Sequence, residues 1–399
     1  MKYIVLLGDG MADWPHEHFG GRTVLDASET PNMDAMCRHG ELGLVNTITP
    51  GFPPGSDTTN MSIMGYSPAE YYTGRAPLEA ASVGVELGPE DVAIRCNLVS
   101  LRDSDEGPVM HDYSAGHITT EDATPLIEAL DAGLRDLGAR LYLGTSYRHL
   151  LVVQGVDPGL KTTPPHDITN KVVTPYLPTG EGQDKLRAII EKSREILADL
   201  PANQLLKTPV TQVWLWGQGK APVMPPFIEK FGLKAAMVSA VDLLKGIGKY
   251  VGMKVVIVPG ATGYLDTNYS GKVAAAMDFL ADGGDFVYLH VEAPDECGHN
   301  GIPEDKQKAI EDFDALVVGP IFEQLKTLGE DYRVLLMPDH PTPLELRTHA
   351  SEPVPFMIYD STDATEKRTE GYCEKNAKAT GLTIESGMAL FGRFTQRDA

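Results

Sequence analysis

Several short clusters along this 399-residue chain combine residue types that do metal and phosphoryl chemistry. Gly8-Asp9-Gly10 directly follows the apolar run Tyr3 to Leu7, which reads as a buried strand ended by a sharp turn. In open parallel sheets ligand sites gather at the carboxyl ends of strands, so Asp9 is placed to hold a metal, although Asp before Gly is also a common turn. Gly55-Ser56-Asp57-Thr58-Thr59-Asn60 leads into an apolar-periodic segment, which puts the Ser56 hydroxyl at a helix N-terminus. Free N–H groups and the helix dipole favour an anion there, and a hydroxyl at that spot can attack phosphorus. The alternative is that Ser56 is simply an N-cap.

Two further clusters follow apolar strands. In Leu289 to His299, Asp295 and His299 stand four apart, so one helical turn presents both on one face. An oxygen and an imidazole so close suit Zn²⁺ or Mn²⁺, whereas His290 and Glu292 read as ordinary loop residues. Leu335 to Met337 ends in Pro338-Asp339-His340, with His349 nine residues on. At a strand end these can reach two metals about 3.5–4 Å apart. Together the clusters supply three Asp, three His and one Ser, enough for two cations with a hydroxyl between them.

The elements that must position these groups alternate in type. Strand-like runs at Val213 to Trp216, Ala235 to Val238, Lys254 to Val258, Phe286 to Val291 and Val334 to Met337 are separated by helix-like segments, notably Ser239 to Val251, Ser270 to Ala281 and Pro303 to Leu328. Apolar strands alternating with helices indicate a mainly parallel sheet covered on both faces. Thr30-Pro31 reads as a helix start with Thr30 as the cap. Residues 90–205 differ, with weaker strands, a Pro-rich stretch and a charged helix from Gln183 to Leu200. They are expected to form a smaller α+β domain inserted into an α/β core built from 1–89 and 206–399.

Composition narrows the partners. Formal net charge is −22, from 34 basic and 56 acidic residues, which argues against a nucleic-acid binder with a basic face. The cysteines Cys37, Cys96, Cys297 and Cys373 lie far apart with no CxxC spacing, so a reduced cytoplasmic setting is expected. No run of about 18 apolar residues suggests a membrane span, and the N-terminal apolar run is too short for a signal peptide.

In family order, the segments LLGDGMAD, PGSDTTNMSIMGY, GRAPLEA, VPGATGYLDTNY, HVEAPDECGHNG, MPDHPTP and THASEPVPF span nearly the whole chain. The sequence thereby resembles the cofactor-independent phosphoglycerate mutases, in their archaeal-type branch within the alkaline phosphatase superfamily. The resemblance implies an alkaline-phosphatase-like three-layer core and interconversion of 3-phosphoglycerate and 2-phosphoglycerate through phosphoserine. It casts Ser56 as the nucleophile, Asp9, Ser56, Asp339 and His340 as one metal site, and Asp295, His299 and His349 as the other. Mn²⁺ or Zn²⁺ is the implied ion, with Mg²⁺ or Co²⁺ able to serve. Candidates for the small phosphorylated substrate are His117, Arg148, His166, Asp167 and Lys245, with Arg75 beside the first crossing between domains. The inserted domain is expected to close over the substrate and exclude water. The core motifs also fit a related phosphotransferase such as a homoserine kinase, or a phosphohydrolase. A kinase needs a nucleotide site, and the sequence has no GxxxxGK[ST] loop.

Overall fold

The computed structural model describes residues 1–367 and 369–397. Its strands are β1 (Lys2–Gly8), β2 (Glu41–Val45), β3 (Val92–Arg102), β4 (Val109–Asp112), β5 (Ala139–Thr145), β6 (Arg148–Val153), β7 (Gln212–Gly219), β8 (Ala235–Val238), β9 (Lys254–Val256), β10 (Phe286–Val291), β11 (Tyr332–Met337), β12 (Val354–Asp360) and β13 (Thr383–Ile384). They form two sheets that belong to two compact units, Met1–Tyr72 with Val223–Ala399, and Thr73–Pro222.

The first unit is built on the sheet β13-β2-β12-β11-β1-β10-β8-β9. β12 alone among these strands runs against its neighbours. β1 is central and buried along its whole length, which is why it reads as a continuous apolar run rather than an alternating one. Ile4 and Leu6 face one way, into a cluster with Val287, Leu289, Val334, Leu336 and helical Met33, Met277 and Phe313. Tyr3 faces the other way and meets Phe394 of the C-terminal helix edge-on at 5.6 Å. Helices therefore cover both faces, giving three layers.

Two expectations change here. Pro303 to Leu328 is not one helix: Pro303–Phe313 and Gly319–Leu325 flank a π turn at Asp314–Val318. That turn swings the Asp314 carboxylate onto the start of the helix Pro31–Cys37, where it accepts the backbone N–H groups of Asn32 (3.2 Å) and Met33 (2.7 Å). Thr30 stands at the cap position but makes no side-chain capping bond, because Asp314 has taken those donors.

The second unit is antiparallel. β3 is flanked by β7 and β6, β5 extends the sheet beyond β6, and β4 pairs with the far end of β3. Helices Thr120–Leu134 and Gln183–Ala198 bury Leu126, Leu130, Ile189 and Leu197 against Ile94, Leu151 and Leu215 of the sheet. This unit is wider than the span 90–205 suggested by composition. Val213 to Trp216 belongs to β7 and pairs with β3, Cys96 opposite Leu215, so it is not a core strand. The helix Arg75–Ser82 packs Ala76 and Ala80 on Ala93. Gly74 makes the entry to that helix possible: its φ is +131° and a Cβ there would stand 2.4 Å from the Gln218 carbonyl oxygen.

Candidate metal centre and nucleophile

Three neighbouring strands deliver the chemistry at their carboxyl ends. Asp9 follows β1, Asp339 and His340 follow β11, and β10 leads into the helix Ala293–Asn300 that carries Asp295 and His299. Ser56 is the first residue of the helix Ser56–Ile63, after Gly55 in the cap position. The capping alternative for Ser56 therefore does not hold. Its hydroxyl lies 3.1 Å from His340 Nε2.

The three aspartates and three histidines converge. His340 Nε2 is 3.2 Å from Asp339 Oδ2 and 3.6 Å from Asp9 Oδ1. His299 Nε2 is 3.2 Å from Asp295 Oδ2 and 3.1 Å from His349 Nε2, and His349 Nε2 is 3.6 Å from Asp295 Oδ1. The His340 and His349 rings lie 4.0 Å apart and join the two groups. Each imidazole has its Nδ1 occupied elsewhere: His299 at the Arg347 carbonyl (3.0 Å), His349 at the Pro54 carbonyl (3.4 Å) and His340 at the Thr342 hydroxyl (3.3 Å). All three Nε2 atoms are thereby turned to the centre, the arrangement that outer hydrogen bonds give metal-ligating histidines.

The residues fit divalent cations. Asp9, Asp339 and His340, and likewise Asp295, His340 and His349, offer ligand atoms within 4.8 Å of one another. Asp9 Oδ1 is buried and without a hydrogen-bond partner, a cost that a cation would remove. Burial first, and then the charges of Asp339 and Asp295, push the Asp9 carboxyl well above its ordinary range. Burial also works against the Asp295 carboxylate, but hydrogen bonds from His299 and His349 outweigh it and hold Asp295 well below that range. The bond to Asp295 raises His299 to about 9. The N and O donor set is one that Zn²⁺ and Mn²⁺ accept.

A family model described as 2,3-bisphosphoglycerate-independent phosphoglycerate mutase matches residues 37–203. The chain is 50% identical over 401 residues to the probable 2,3-bisphosphoglycerate-independent phosphoglycerate mutase of Geobacter sulfurreducens, covering 100% of both. It is 49% identical to the Methanosarcina barkeri 2,3-bisphosphoglycerate-independent phosphoglycerate mutase, covering 98% of each. The chain belongs to this family. Among solved structures, it is similar to the cofactor-independent phosphoglycerate mutase of Thermoplasma acidophilum (26% identity, TM-score 0.70, 99% of each chain). It is also similar to a Pyrococcus horikoshii protein (28% identity, TM-score 0.82, 100% of this chain and 98% of that one).

Within this family member, several residues that sequence reasoning left out hold the candidate ligands in place. Asn60 donates to Asp339 Oδ2 (2.8 Å) and to the Ser56 carbonyl (2.8 Å), and is itself held by the Tyr288 hydroxyl (2.6 Å). Thr342 donates to Asp295 and contacts His340 Nδ1, so one hydroxyl links the two groups. Lys306 is fully buried and ties Asp13 (2.8 Å) to the Ala12 and Thr342 carbonyls. His290 is no loop residue: it sits on β10, is fully buried, and lies 2.8 Å from Asp9 Oδ2. The available signal was a lone histidine inside a strongly apolar strand.

The substrate candidates are placed as follows. Lys245, on the helix Asp242–Tyr250, pairs with Asp242 at 2.7 Å, and that helix packs on the Ser56 helix. In the second unit, His117 and Arg148 lie against the Tyr147 ring, at 5.9 and 5.6 Å. Tyr113 continues the cluster to His166 (6.2 Å), which meets Trp216 edge-on (5.5 Å), while Asp167 pairs with His166 at 3.6 Å. Sequence reasoning missed Arg95, whose guanidinium stacks on Trp216 at 4.0 Å and pairs with Glu79 at 3.2 Å. Burial lowers its pKa, and the nearby charges of Arg75 and Arg148 lower it further, so three arginines share one neighbourhood.

Proposed function

We propose that Ser56 is the nucleophile of a metal-dependent phosphoglycerate mutase reaction. One observation carries this reading: a hydroxyl at a helix N-terminus, 3.1 Å from His340, beside a buried Asp9–Asp339–His340 group that has a carboxylate oxygen to spare. A serine hydroxyl is a poor nucleophile at neutral pH. Two divalent cations, Mn²⁺ or Zn²⁺ by donor type, would lower its pKa and shield the phosphoryl oxygens.

The chain's own residues do the rest. Ser56 takes the phosphoryl group of 3-phosphoglycerate, glycerate stays bound and turns, and its 2-hydroxyl takes the group back as 2-phosphoglycerate. The N-terminal N–H groups of the Ser56 helix favour the transferred anion. Asn60 fixes both the first turn of that helix and Asp339, so nucleophile and ligand keep one geometry. Substrate carboxylate and hydroxyls call for cationic and polar partners. His117, Arg148, His166, Asp167 and Lys245 fill that role in this reading, and the buried Arg95 joins them. A cytoplasmic setting suits such an enzyme.

The test is Ser56→Ala. With Mn²⁺ and 3-phosphoglycerate, the wild type should give 2-phosphoglycerate, and no product should form from ATP and homoserine. The variant should lose turnover and keep its metal content. Full mutase activity in the variant would refute the phosphoserine route, and product from ATP and homoserine alone would refute the substrate assignment.

A further inference from the structure

Among the described residues, His290 is the one fully buried histidine that lies outside the groups of candidate ligands and yet touches one of them. It occupies β10 opposite Leu7 of β1, in a strand otherwise made of Phe, Val, Tyr and Leu. A polar ring in that setting must satisfy both of its nitrogens. Nε2 lies 2.8 Å from Asp9 Oδ2, and Nδ1 lies 3.1 Å from the Ser239 hydroxyl.

One assignment of hydrogens satisfies both bonds when Asp9 is ionised. The Ser239 oxygen already accepts the Val241 N–H at 3.0 Å, so its proton is free to donate to His290 Nδ1. With Asp9 ionised, as a ligand to a cation is, its Oδ2 can only accept, so the neutral ring carries its hydrogen on Nε2 and Nδ1 accepts from Ser239. The backbone of the same residue is pinned as well: the fully buried Lys272 donates to the His290 carbonyl at 2.9 Å. One oxygen of Asp9 is thus held from behind. The other, Oδ1, has no hydrogen-bond partner and lies 3.6 Å from His340 Nε2.

We propose that His290, oriented by Ser239, is a positioning residue for Asp9: it engages one carboxylate oxygen so that the other is presented singly to a divalent cation. The inference rests on the metal centre described above and adds to it a Ser239–His290–Asp9 relay. A ligand whose outer partner is removed typically loses about 10–100-fold in metal affinity.

The test measures metal uptake by the full chain, not turnover. Metal-free wild type, His290→Leu, His290→Gln and Ser239→Ala would be titrated with Mn²⁺ while free Mn²⁺ is followed by electron paramagnetic resonance, and circular dichroism would check that each is folded. Wild type should take up two ions. His290→Leu should bind one of them about 10–100-fold more weakly and leave the other unchanged. His290→Gln, which keeps an N–H near the Nε2 position, should recover most of the loss, and Ser239→Ala should show a smaller loss at the same site. If a folded His290→Leu binds both ions as tightly as wild type, the proposal is wrong. It is equally wrong if Gln recovers nothing, because the loss then reports packing rather than the hydrogen bond. A wild type that takes up no Mn²⁺ would instead overturn the metal centre itself.

Discussion

Metal uptake by this protein should expel protons, and the structure identifies a source. In the metal-free centre the bond to Asp295 holds His299 at about 9, so at neutral pH its imidazole is charged. A ligating imidazole must be neutral. Nδ1 donates to the Arg347 carbonyl, so the proton to be lost sits on Nε2, the atom facing Asp295 and His349. Each pH unit below 9 then costs a factor of ten in affinity, about 1.4 kcal/mol. Between pH 8.5 and 6.5 the affinity should fall about 100-fold through His299 alone. Asp9, raised by burial and by Asp339 and Asp295, adds to the effect in the same direction. Titration calorimetry with Mn²⁺ at pH 7, in two buffers of different ionisation enthalpy, counts the protons released; at least one is expected. Stability should follow with opposite signs. Because the folded pKa of His299 lies above its unfolded value, the metal-free protein has the full benefit of the His299–Asp295 pair below about pH 6.5 and loses it as pH rises through about 9. The gain in Tm on adding metal should widen over the same interval. A flat affinity between pH 6.5 and 8.5, or no proton release, would refute the reasoning.

Three further outcomes follow from contacts elsewhere. Thr342→Val removes the hydroxyl shared by Asp295 and His340, so Mn²⁺ uptake should weaken about 10–100-fold and Thr342→Ser should restore it, as a titration will read. Arg95→Met removes the guanidinium from the three-arginine neighbourhood; steady-state kinetics should show KM for 3-phosphoglycerate raised about tenfold or more, the worth of a charge-assisted bond of about 1.5–3 kcal/mol, with metal content unchanged. Lys306→Met leaves Asp13 buried without its cation, and urea unfolding should register a loss of about 3–5 kcal/mol.

The candidate site was legible because three of its four clusters follow apolar strands, and strand ends are where parallel sheets place ligands. The four-residue spacing of Asp295 and His299 was enough to put them on one helical face, and they meet at 3.2 Å. What the sequence hid was non-local. Val213 to Trp216 is as apolar as a core strand, and nothing within those residues says which sheet it joins; pairing with β3 decides that, and moves the unit boundary out to Thr73 and Pro222. The π turn at Asp314 is invisible to a 3.6-residue period, since its reason is a helix start nearly three hundred positions earlier. Arg95 stands in a strand whose pattern predicts burial, and only Glu79 and Trp216, brought in from two other elements, make a buried guanidinium tolerable.

The same non-local logic settles an apparent conflict between a charge of −22 and an anionic substrate. Charges exposed on the surface are screened beyond about 8–10 Å, so most of that excess is not felt inside a cleft. What is felt is the local set, and here burial first, and then the close charges of Asp339 and Asp295, raise the pKa of Asp9. Without a cation the cost falls on Asp9, whose carboxyl is held well above its ordinary range, whereas Asp295 is offset by its pair with His299. Divalent cations cancel that cost and reverse the sign of the local field, so the groups that make the empty centre costly are those that would make the loaded one attract phosphate. Metal binding, stability and substrate capture would then form one linked equilibrium, and a variant that relaxes the acids, such as Asp9→Asn, should raise the stability of the metal-free chain while weakening its hold on metal.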